Sequence, residues 1–127
     1  MNVVKNDFDN FEMPLLNDND VSISLNGNQV GELLNLEIET NELGNDNPSL
    51  MEFFYNVNNY LMKNVGNLYF NSSLNLATTT VEIHLDNEEF ITQVIEKIQY
   101  IFSLHQHDIK KEISKNSNKT NAILKMA

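Results

Sequence analysis

The chain has no cysteine. It can therefore form neither a disulfide nor a zinc–thiolate site. It has only four glycines, and none stands in a loop of the kind that cradles phosphates. No apolar run approaches the roughly 20 residues a helix needs to cross a bilayer, and no basic segment leads into an apolar one near the first residue. The expectation is a soluble, cytoplasmic protein without a membrane partner. At 127 residues it is long enough to bury one core, and no internal repeat divides it.

Arginine is absent too, and positive charge is scarce where negative charge is dense. Residues 1–62 hold 11 acids against the single base Lys5, a net of -10, whereas residues 63–127 hold 7 acids and 7 lysines, a net of 0. All of the formal excess of -10 thus lies in the first half. Direct contact with nucleic acid phosphates is disfavoured. The acids Asp7, Asp9, Glu12, Asp18 and Asp20 form a loose cluster, and Glu37 and Glu39 add the outward side of a strand. Such a patch suits a basic target protein, or serves solubility alone.

What is present is periodicity. Val21, Ile23 and Leu25 alternate with serines, and Leu34, Leu36 and Ile38 alternate with polar residues, so each run reads as a half-buried strand. The Asn26-Gly27-Asn28 triplet supplies turn chemistry between them. A first helix is expected over residues 47–65, with Asn47 as cap, Pro48 at its first position, a competing Ser49/Glu52 capping box and Gly66 at its end. Its apolar stripe is Leu50, Phe53, Phe54, Val57 and Leu61. Residues 67–70 and 74–85 read as a hairpin turning at residues 71–73. Leu74 and Leu76 have the opposite parity to Val81, Ile83 and Leu85, which predicts a bulge near residues 77–80. Asp86 and Glu89 then open a long helix whose apolar side runs from Phe90 to Ile113, and residues 114–121 are expected to fray.

The order is therefore ββαββα. That is an α+β domain, an antiparallel sheet with two covering helices. It is expected to span residues 21–115, after an acidic, partly disordered arm of residues 1–20 and before a flexible tail of residues 116–127.

Candidates for chemistry are few. His105 and His107 are two apart, which on a helix points them to different sides, so they cannot chelate one metal together. His105 on an apolar stripe reads as a packing residue, and His84 on a strand as solvated. No serine sits in a nucleophile elbow. The Asp18-Asn19-Asp20 triplet lacks the glycine and distal glutamate of a calcium loop. The chain reads as non-enzymatic, with no cofactor and no metal.

The run NLYFNSSLNLATTTVEIHLD over residues 67–86, followed by NEEFI and by a helix containing FSLHQH at residues 102–107, resembles the C-terminal half of class I type III secretion chaperones, the Tir-chaperone family. The preceding helix and the earlier strands fit the same order, so the resemblance covers roughly residues 21–113 as a pattern rather than a signature motif. The chain departs from the family at its start. An opening amphipathic helix is usual there, and residues 1–20 are rich in Asp and Asn with Pro14 inside.

The resemblance implies a bacterial homodimer that holds the unfolded N-terminal segment of a secreted client protein, through apolar grooves and added strands. By that reading Val21, Ile23, Leu25, Leu34, Leu36 and Ile38 would offer the client-binding surface. Leu50, Phe53, Phe54, Val57 and Leu61 would form the dimer interface. Two other readings stay open. One is an acidic inhibitor, such as an immunity protein or phage-encoded antagonist, that uses the acids named above against a basic cleft. The other is an adaptor subunit of a bacterial or phage assembly.

Overall fold

Alternation of apolar and polar residues carries through to the backbone in every central strand. The computed structural model describes residues 10–18, 21–41, 47–73 and 76–126, with side chains as far as Lys115. In chain order the elements are β1 (Asn10–Asp18), β2 (Val21–Val30), β3 (Leu33–Thr40), α1 (Pro48–Asn64), β4 (Tyr69–Ser73), β5 (Leu76–His84) and α2 (Glu88–Met126). The strands form a single antiparallel sheet in the order β1-β2-β3-β5-β4.

The class is α+β, as expected, but among the described residues three strands rather than two precede the first helix. The extra one is β1, which lies within the segment read as an arm. Its alternation is broken by a bulge. Phe11 pairs with Gly27 and Met13 with Leu25, but then Leu16 pairs with Ile23, so one residue is extra between Pro14 and Leu16. The bulge returns Leu16 to the apolar face, where it is buried. A strict period of two would have turned it to the other side. Residues 1–9, 19–20 and 42–46 lie outside the described residues, and with them Asp7, Asp9 and Asp20.

Two turn expectations also move. Asn26, Gly27 and Asn28 are in the middle of β2, paired with Glu37, Leu36 and Asn35. The hairpin instead turns at Gly31 and Glu32, between the paired Val30 and Leu33, and Gly31 takes a positive φ of 63°. Likewise residues 71–73 belong to β4, and the connection to β5 falls at residues 74–75, outside the described residues. The bulge expected near residues 77–80 does not occur. Pairing of β5 with β3 runs unbroken from Ala77 to His84. Ala77, Thr79, Val81 and Ile83 all face the core, while Leu76 faces out and is 54% exposed. The parity predicted a bulge because it took Leu76 as a core residue, whereas the core row begins at Ala77 and includes Thr79. The Thr79 hydroxyl is satisfied inside by donating to Asn58 Oδ1 of α1 at 2.7 Å.

Both helices cover one face of the sheet. Phe53 of α1 packs edge-on against Phe102 of α2 with ring centroids 5.5 Å apart, and against Phe54 at the same distance. α1 lies towards β5, as the Asn58–Thr79 bond fixes, and α2 reaches β1, where Gln99 Nε2 donates to the Met13 sulfur. Asn47 makes no side-chain cap bond; the Ser49 N–H donates to Glu112 Oε1 of α2 instead, so one helix caps the other. α1 stops at Gly66, with φ 81°, after the N–H groups of Val65 and Gly66 both donate to the Leu61 carbonyl. In α2 the first helical bond runs from the Ile91 N–H to the Asn87 carbonyl, one residue beyond the expected cap Asp86. Its backbone stays helical through residues 114–121 to Met126, a length of about 58 Å at 1.5 Å per residue. Among the described residues no helix is long and apolar enough to cross a membrane.

Candidate functional site

The helical layer decides which side chains remain available. Val21, Ile23, Leu25, Leu34, Leu36 and Ile38, assigned above to a client, are at most 7% exposed. Leu50, Phe53, Phe54, Val57 and Leu61, assigned to a dimer interface, are at most 2% exposed. All eleven are core of their own chain. The strand set faces the helices, and the α1 stripe faces the sheet, so neither set is a surface on which a partner can lie.

A second stripe on α1 is free. Met51, Tyr55 and Met62 are 47%, 66% and 62% exposed, and their spacings of four and seven put them on one side of the helix, about opposite Ser49, Phe53 and Asn56, which face α2. Next to α1 lies β4. Phe70 of β4 touches Phe54 of α1, with centroids 6.2 Å apart, and keeps 41% of its surface exposed. Every residue of β4 is exposed, and among the described residues its only strand neighbour is β5. Among the described residues, the far edge therefore presents backbone N–H and C=O groups without a strand partner.

The two sheet edges are not equivalent. β1 carries Pro14, the bulge and the charged Glu12 and Asp18, each of which discourages another strand from pairing. β4, with the sequence YFNSS, has no charge, no proline and no bulge. The β4 edge and the exposed Met51, Tyr55 and Met62 row thus adjoin each other. The α1 part was legible in the sequence as a second helical row; the β4 part needed the strand order.

The outward face of the sheet has a different character. One row crosses all five strands, Glu12, Asn26, Glu37, Thr80 and Tyr69, and the next holds Ser24, Glu39 and Thr78. Glu82, opposite Asn35, lies on the same face. Three residues of the expected acidic patch, Glu12, Glu37 and Glu39, are thus brought together. Asp18 is opposite core-facing Val21 and is not part of this group. The described lysines Lys63, Lys97, Lys110, Lys111 and Lys115 all lie on the helices. Burial, reinforced by the hydrogen bond and negative charge of Glu39, holds the Glu37 carboxyl above its usual value, against a lowering bond from Asn26. The Asn26 and Asn35 amide oxygens are sealed from solvent without a hydrogen-bond partner.

The three histidines are scattered. His105 Nε2 is 3.0 Å from Asn56 Nδ2 and helps join the two helices, while His84 and His107 are exposed. His84 lines a cleft of about 260 Å³ with Glu32 and Asp86 at the β2–β3 turn, smaller than the 300 Å³ or so at which small-molecule sites begin. Among the described residues no group of three or more His, Asp and Glu side chains is placed to hold a metal ion. No protein-family model, curated protein or solved structure matches this chain.

Proposed function

We propose that this chain is a non-catalytic protein-binding domain that works as a homodimer, holding the N-terminal segment of a secreted client in the bacterial cytoplasm as a type III secretion chaperone does. The observation that carries the reading is the unprotected β4 edge lying beside the exposed Met51, Tyr55 and Met62 row. A two-fold axis through such an edge pairs β4 with its own copy in antiparallel fashion and places the two α1 faces together, a self-complementary contact. The order strand, strand, helix, strand, strand, helix over residues 21–113 is the one on which the resemblance rests, although β1 stands where the family usually opens with a helix. No cofactor takes part in this mechanism.

Sedimentation velocity tests the dimer, and a pull-down tests the client. The wild type is expected to sediment as a dimer at both moderate and high salt, and Tyr55→Asp with Met62→Asp as a folded monomer. A wild type that remains monomeric at high concentration overturns the interface. In a pull-down with limited proteolysis, the expected partner is protected only over an N-terminal segment and survives high salt.

The outward sheet face favours a second reading, the acidic inhibitor. Glu12, Glu37, Glu39 and Glu82 share that face with no described lysine. A folded basic target lost at high salt, and lost with Glu37→Gln plus Glu39→Gln, would replace the chaperone reading.

A further inference from the structure

We draw no further inference here: the strongest candidate, the acidic outward face of the sheet around Glu37 and Glu39, belongs to the second reading already given, and nothing beside its carboxylates points to a particular ligand.

Discussion

Gly27 shows how a single position can mislead a sequence reading and still be essential. Between two asparagines it looks like a turn, but it sits mid-strand because the Phe11 ring of β1 occupies the space where a side chain would project. A Cβ added there overlaps that ring. The aromatic ring supplies the apolar cover that glycine lacks, and it anchors the edge strand to β2. Gly27→Ala is expected to cost about 1–3 kcal/mol by overpacking. Phe11→Leu in the same chain should recover part of that loss. A double-mutant cycle in urea checks this, and strict additivity would show that the two residues do not compete for the space.

Glu37 gives a residue-scale prediction in pH. Its folded carboxyl titrates above its usual value of 4.5, so between that value and the folded one the folded state binds more protons than the unfolded state. The stability it contributes is present below 4.5 and is lost as pH rises through the folded value. Glu37→Gln should therefore gain stability relative to wild type at pH 7 and lose that advantage in acid. Urea midpoints measured from pH 4 to pH 8 would test it; a difference that stays constant with pH argues against the assignment. Pairing Glu37 with a cationic partner removes the same penalty.

At the scale of elements, the question is which face of each helix and strand meets water. Both assignments of function made from apolar runs chose the inward side, because hydrophobicity and periodicity identify a stripe without saying what it packs against. Leu36, 1% exposed in the central strand β3, and Met62, 62% exposed on α1, separate the two cases. Leu36→Ala is expected to destabilise the fold by about 2–5 kcal/mol through lost burial and a residual cavity. Met62→Ala should change folding stability by less than about 0.5 kcal/mol, measured at concentrations low enough to keep the chain monomeric. A large loss for Met62→Ala in the monomer would mean that its face packs within the chain. Helix existence was legible because the stripes are long and regular; the strand β1 was not, because Pro14 and an extra residue disguise its alternation.

The whole molecule separates its surfaces by character. One side of the sheet is covered by helices bearing all the described lysines, the other is acidic, and the β4 edge is uncharged. Pairing of an uncharged strand tolerates salt, whereas contacts made by exposed carboxylates weaken as the Debye length contracts to about 8 Å at physiological ionic strength. Salt dependence therefore distinguishes self-association at β4 and α1 from capture of a basic target by the sheet, on one and the same protein. The net charge of -10 opposes contact between copies over the acidic faces, so the proposed self-association would use the edge.

The sequence by itself determined the α+β class, both helices, the pairing-competent strands β2 and β3, and the uneven division of charge. Each of these depends on local spacing, which a chain carries before it folds. Tertiary structure alone decided that β5 lies between β3 and β4, that β4 is left at the edge, and that Glu12 joins Glu37 across β2. It also decided that the strongest apolar stripes are core and the weaker Met51, Tyr55 and Met62 row is surface. The physical reason is that burial is a competition. The sheet and helices cover the faces that bury the most apolar area together, and what remains for a partner is whatever that competition leaves uncovered.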